Sequence, residues 1–114
     1  MTLNEYQIAA QRTSSEKFAD IDAEGLNLPQ LENGLMGLCG EAGECMELLK
    51  KHRHQGHELN EAALKEELGD VAWYLAEAAS ALNLWLDDIA AANIAKLRKR
   101  YPLGFDAEQS INRD

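Results

Sequence analysis

Two stretches of the chain, LCGEAGECMELL (Leu38 to Leu49) and LKEELGDVAWYL (Leu64 to Leu75), carry acids in the same frame. Leu38, Glu41, Gly43, Glu44 and Leu49 line up with Leu64, Glu67, Gly69, Asp70 and Leu75. Each stretch thus holds two carboxylates spaced by three: Glu41 with Glu44, and Glu67 with Asp70. Residues three apart share one face of a helix. Carboxylates gathered on one face suit hard divalent cations, Mg²⁺ or Mn²⁺, which keep several waters and favour phosphate co-ligands.

Such a site needs two helices that bring the pairs together. Winding each segment at about 100° per residue places Leu35, Leu38, Ala42, Cys45 and Leu49 in one apolar stripe. Leu64, Leu68, Val71, Leu75 and Leu82 form the other. Glu41 and Glu67 fall just inside the edges of these stripes, Glu44 and Asp70 one step outward, and Glu47 and Glu66 lie well round the back. If the helices are antiparallel neighbours, the four acids converge. Like charges at about 4 Å repel by about 4 kcal/mol at an effective dielectric near 20, so the cluster calls for protons or dications. Gly34, Gly37 and Gly40 run along the same side as Glu41. Each costs about 1 kcal/mol in a helix relative to Ala, which points to close approach by a partner helix or ligand.

The chain has 114 residues, 46% hydrophobic and 6% aromatic, with a net charge of −9. That length fits one domain with a small aliphatic core, spanning 1–114 with a polar tail over 105–114. The acidic balance argues against nucleic acid and anionic membrane surfaces as partners, which need surplus Lys and Arg. No strand-like alternation occurs. The punctuation predicts helices over about 3–20, 31–54, 61–83 and 85–101, an all-α four-helix bundle, with Thr2 or Asn4 and Asn60 as caps and Pro29 in a loop. Cys39 and Cys45, about 9 Å apart in rise on one helix, read as small buried thiols in a reducing compartment. With no export signal or membrane span in the pattern, the expected location is cytoplasmic.

Other residues could serve the acids. Asn93, Lys96 and Arg100 share a flank of the fourth helix, where fixed cations could hold phosphate oxygens; the plain alternative is complementation of the helix dipole. Lys51 lies on the same side as Glu44, and Tyr74 follows Asp70 by one turn on the acid flank. His52, His54 and His57 match no helical zinc spacing and read as exposed loop histidines. Trp73 points away from the stripe, as expected of a subunit interface.

Glu-x-x-Glu followed by Glu-x-x-Asp on the next helix resembles the MazG-like all-α nucleotide pyrophosphohydrolases, a superfamily that includes dimeric dUTPases, dCTP pyrophosphatases and phosphoribosyl-ATP pyrophosphohydrolases. The resemblance extends over EYQ, GLCGEAGECMELLKK, the QGH connector, KEELGDVAWYL, NIAKLRKRYP and the closing GF and INR. It is greatest to short stand-alone members of bacteria and phages. It implies Glu41, Glu44, Glu67 and Asp70 as Mg²⁺ ligands, with Mn²⁺ a possible substitute. Asn93, Lys96 and Arg100, with Lys51 and Tyr74, would line the triphosphate site. The implied reaction is hydrolysis of a nucleoside triphosphate, a dNTP for preference, to monophosphate and pyrophosphate by water attack at the α-phosphorus, with Glu41 or Glu44 as base. The implied assembly is a homodimer or homotetramer. The competing reading is a non-catalytic helical adaptor or regulatory protein that uses the same bundle to oligomerise. Base preference turns on pocket shape around Tyr6, Gln7 or the IDAEGLNLP loop.

Overall fold

A computed structural model describes residues 1–113. It is an all-α bundle: α1 (Leu3–Gln11), a 3₁₀ turn (Glu16–Phe18), α2 (Leu28–His54), α3 (Glu61–Ala81), α4 (Leu86–Arg100) and a short α5 (Ala107–Ile111). No strand occurs among the described residues, and no helix among them is long and apolar enough to cross a membrane.

Local chemistry sets the boundaries. Thr2 caps α1 in a reciprocal box, its hydroxyl accepting from the Glu5 N–H while the Glu5 carboxylate accepts from the Thr2 N–H, both at 3.0 Å. The expected first helix to residue 20 stops instead at Gln11. The Thr13 hydroxyl donates back to the Ala10 carbonyl at 3.0 Å, and Ser15 starts the 3₁₀ turn by accepting from the Lys17 N–H. The second helix begins three residues earlier than expected, at Leu28, with Asn27 as cap and Pro29 inside its first turn. A first-turn proline gives up no intrahelical hydrogen bond there. Asn60 caps α3 through the Ala63 N–H. Asn83, at φ 57°, turns the chain after α3. Trp85 offers no side-chain cap to α4. Two side chains of α1 do this instead: Gln7 Oε1 accepts from the Leu86 N–H at 2.8 Å and Asn4 Oδ1 from the Asp87 N–H at 2.9 Å.

The α2–α3 antiparallel hairpin makes the most extensive contact in the chain, with α1 against α3 and α4. Two glycines let the hairpin close. A Cβ at Gly34 would meet the Ala78 backbone nitrogen at 2.8 Å, and one at Gly37 would fall within the Tyr74 ring. Gly40, expected to share that role, faces open space.

The innermost apolar cluster is small: Ala10, Ala76, Ala79 and Leu86, with Tyr6, Trp73 and Ile89 against it. Trp73 is therefore not outward-facing; its indole N–H lies 3.0 Å from the Ala10 carbonyl and 2.8 Å from Thr13 Oγ1, tying α3 to the end of α1. Cys39 is exposed and Cys45 half-buried, so neither is the buried thiol expected. Much of both apolar stripes is open within one chain: Leu35 is 50% exposed, Leu68 59% and Leu75 40%. The reason lies in α4, which packs against α1 rather than running back along the hairpin.

Glu77 is completely buried. Its Oε1 accepts from Ser14 Oγ at 2.6 Å, Gln30 Nε2 at 2.7 Å and Gln11 Nε2 at 3.2 Å, and its Oε2 from Asn33 Nδ2 at 3.1 Å. This carboxyl pins α1, the segment after it and α2 onto α3. Its four donors satisfy an acid that burial would otherwise penalise by several kcal/mol, on the order of the cost of an isolated buried charge.

Candidate metal centre

The antiparallel register that sets Gly34 beside Ala78 and Gly37 beside Tyr74 carries on one turn further, to Glu41 facing Glu67 and Asp70. One carboxylate oxygen from each of these three acids lies within 4.8 Å of the others. Glu41 and Glu67 are half-buried and Asp70 is exposed. Glu41 Oε2 and Glu67 Oε2 are buried atoms with no hydrogen-bond donor. Buried oxygens are rarely left so, and here they point into a group of like charges rather than to a lysine or an amide.

Glu44 is exposed on the outer side of the trio. The charge of Glu67 raises its pKa above the ordinary glutamate value, aided by a hydrogen shared between the two carboxyls and by Asp70. Glu67 is itself raised, first by sharing a hydrogen with Glu41, then by burial and by the charges of Glu41 and Asp70. Such carboxyl–carboxyl hydrogen bonds exist only while a proton is present. When all the acids are ionised, the orphaned oxygens remain. A hard cation resolves the same conflict without a proton, and an all-carboxylate donor set fits Mg²⁺, Mn²⁺ or Ca²⁺ better than a soft metal.

Around the acids, Tyr74 is half-buried over Gly37, one turn beyond Asp70. From α1, Tyr6 reaches the same neighbourhood: burial and then the charge of Asp70 push its hydroxyl pKa up. Lys51 is half-buried near the far end of α2. His52, His54 and His57 are exposed, and the His52 Nδ1 pairs with the His57 carbonyl at 2.8 Å, closing the end of α2.

Asn93, Lys96 and Arg100 are not brought to the acids within the chain. They lie along α4, Asn93 and Lys96 exposed and Arg100 half-buried, and among the described residues no ion pair joins them to the carboxylates. Lys96 and Arg100 instead line a cleft of about 340 Å³ with Lys99, Gln109, Asn112 and Arg113. Gln109, Asn112 and Arg113 belong to the polar tail, where Asn112 and Arg113 fall in the INR segment that carries the resemblance but Gln109 has no signal of its own. Asp106 begins a helix there, accepting from the Glu108 N–H at 2.8 Å, a capping acid legible in DAEQ. A second cleft, of about 420 Å³, opens beside Gln7, Gln11, Ser80 and Trp85. Its glutamine amides are already bonded internally, Gln7 to Ser80, Leu84 and Leu86, and Gln11 to Gln30 and Glu77.

Comparison with known proteins agrees with this arrangement. The MazG nucleotide pyrophosphohydrolase domain matches residues 30–105, from the first turn of α2 to just beyond α4. The chain is 37% identical over 119 residues to the Gene 37 protein of Mycobacterium phage L5, covering 99% of this chain and 100% of that protein. No solved structure matches. With the family domain spanning both acid pairs and a relative aligned end to end, the chain belongs to the MazG nucleotide pyrophosphohydrolase family.

Proposed function

We propose that the chain hydrolyses a nucleoside triphosphate, a dNTP for preference, to the monophosphate and pyrophosphate at a Mg²⁺-loaded acid cluster. The observation that carries this reading is the convergence of Glu41, Glu67 and Asp70, with two buried oxygens lacking any donor. Those three acids, with Glu44 beside them, would hold the metal. When bound, Mg²⁺ supplies Lewis acidity toward phosphate oxygens and lowers the pKa of a water.

The chain's residues divide the remaining work. Glu44 is the base we favour over Glu41, because it is exposed and stands outside the tight trio. Its carboxylate takes a proton as water forms the new bond to the α-phosphorus. The bond from that phosphorus to the bridging oxygen breaks, and the electron pair leaves with pyrophosphate. Tyr6 and Tyr74, flanking Asp70, would position the nucleotide. Lys51, Asn93, Lys96 and Arg100 are the proposed triphosphate contacts. The last three can meet the acids if a second copy of the chain carries its α4 across, so the reading includes a homodimer or a higher homo-oligomer.

The test is pyrophosphate release from a panel of dNTPs with Mg²⁺. Wild type should turn over at least one of them, and Glu41→Gln and Glu67→Gln should each lose about a hundredfold or more, the scale of a deleted electrostatic catalytic contact. Equal background from all three proteins would leave a non-catalytic helical adaptor as the better account.

A further inference from the structure

We propose that Glu77, buried and touching none of the clustered acids, is a positioning residue for the metal centre: it locks the register of α2 on α3 that brings Glu41 to Glu67 and Asp70. Contacts between the two helices follow one antiparallel register, with Gln30 and Asn33 beside Glu77, Gly34 beside Ala78, Gly37 beside Tyr74 and Glu41 beside Asp70. Among the described residues, the side-chain hydrogen bonds that join α2 to α3 come from Gln30 Nε2 at 2.7 Å and Asn33 Nδ2 at 3.1 Å, and both end on Glu77. The Asn27 N–H, donating to the Ala81 carbonyl at 3.0 Å, tethers the start of α2 to the end of α3. One bond at a helix end leaves α2 free to turn about its own axis.

The rest of the hairpin supplies little direction. Apolar contact is non-directional, and Gly34 and Gly37 let the helices touch without side chains that interlock. Towards the connector the acids push the helices apart. A slip of one residue's rise, about 1.5 Å, far exceeds the roughly 0.2 Å within which metal–ligand distances hold. Packing alone does not call for an acid at this position, since its buried neighbours are Ala76, Ala78 and Ala79. A carboxylate accepts at every position of its head group, whereas half of a glutamine head group donates. Donors from α1 (Gln11), the segment after it (Ser14) and α2 (Gln30, Asn33) thus meet on one group. A satisfied buried polar network of this kind specifies one arrangement among several that apolar packing would allow.

The metal half of the proposal rests on the proposed function; the register half does not. Glu77→Ala would orphan four donors and endanger the fold, so the donors are varied instead. Asn33→Ala and Ser14→Ala each remove one neutral donor from Glu77, but only Asn33 belongs to α2. Nitroxides carried by Glu47→Cys and Glu66→Cys, both at exposed positions, in a Cys39→Ser, Cys45→Ser chain report the register by dipolar EPR in EDTA. Asn33→Ala should shift their separation by about 1.5 Å or more or broaden it, while Ser14→Ala leaves it as in the parent. Calorimetric titration with Mn²⁺, where circular dichroism shows every variant folded, should give a Kd weakened about tenfold or more in Asn33→Ala and unchanged in Ser14→Ala. Equal changes in the two variants, or none in Asn33→Ala, overturn the proposal. If wild type takes up no Mn²⁺, the metal centre of the proposed function fails, and the nitroxide separation still decides whether Glu77 sets the register.

Discussion

Glu67 lies close enough to Glu41 and to Glu44 for a proton, when one is present, to be shared with either. Its pKa and that of Glu44 are raised from the ordinary 4.5. A carboxyl raised on folding binds its proton more tightly folded than unfolded. It therefore weakens the fold at pH above its folded pKa, and that penalty disappears as pH falls towards 4.5. Glu5, lowered by its hydrogen bonds to Thr2, contributes in the opposite sense, holding the fold above its ordinary pKa and losing that hold on acidification. Comparing wild type with Glu67→Gln cancels Glu5, which is unchanged in both. In EDTA, Glu67→Gln should melt above wild type at pH 8, and the gap should close between pH 8 and about 4.5. Millimolar Mg²⁺ at pH 8 should reverse the order, raising wild type and leaving the variant nearly where it was, because only the folded state assembles the full donor set. Thermal melts over this range, with and without metal, decide it. Parallel curves in EDTA would mean that the acids do not repel one another.

At the scale of elements, the hairpin owes its closeness to Gly34 and Gly37. Helix propensity alone favours alanine by about 1 kcal/mol at any interior glycine. At Gly34 the added methyl would press on the backbone of Ala78, which cannot move without shifting α3. Overpacking of this kind costs about 1–3 kcal/mol. Gly34→Ala should therefore lower stability in urea unfolding, whereas Gly40→Ala, with nothing within 4 Å of the new methyl, should raise it by about 1 kcal/mol. Stabilisation at both positions would show that the helices do not approach as described. The contrast marks what periodicity conveys. The phase of Glu41 and Glu67 at the stripe edge was legible because winding a helix needs no knowledge of its neighbour. The start of α3 was legible because Asn60 caps its own chain. The end of α1 was not, since Ser14 turns to Glu77, sixty-three positions away. Glu77 itself, an acid within the alanine run AEAASA, was a visible signal that drew no reading. Trp73 was misplaced because its partner is the carbonyl of Ala10 on another helix. Nor does the pattern of α4 say which helix it will meet.

The whole molecule is open for its size. Its radius of gyration is 17.3 Å, where a compact chain of this length would have about 13 Å. The excess comes with half-exposed Leu35, Leu49, Leu68 and Leu75 along the hairpin and with Ile94 and Leu97 on α4. Apolar side chains at helical spacing on two adjoining helices form the kind of continuous surface that soluble chains seldom leave in water. A second hairpin laid against the first would complete four-helix packing around these leucines, and each would gain about 1 kcal/mol from losing the rest of its exposed surface. The proposed triphosphate contacts on α4 lie away from the acids of their own chain, so pairing would supply the substrate site with cations as well as cover its apolar wall. Light scattering should thus give wild type at least twice the chain mass of 12.7 kDa at micromolar concentration. Leu68→Glu, placing an unpaired charge in that wall at a cost of about 3 kcal/mol or more, should weaken association a hundredfold or more while far-ultraviolet circular dichroism keeps its helical form. Pyrophosphate release should fall with the mass, since half the site would then be missing. A wild type that runs at 12.7 kDa and hydrolyses as fast when dilute as when concentrated would place the whole reaction within one chain, and the cations of α4 would have to be explained without a partner.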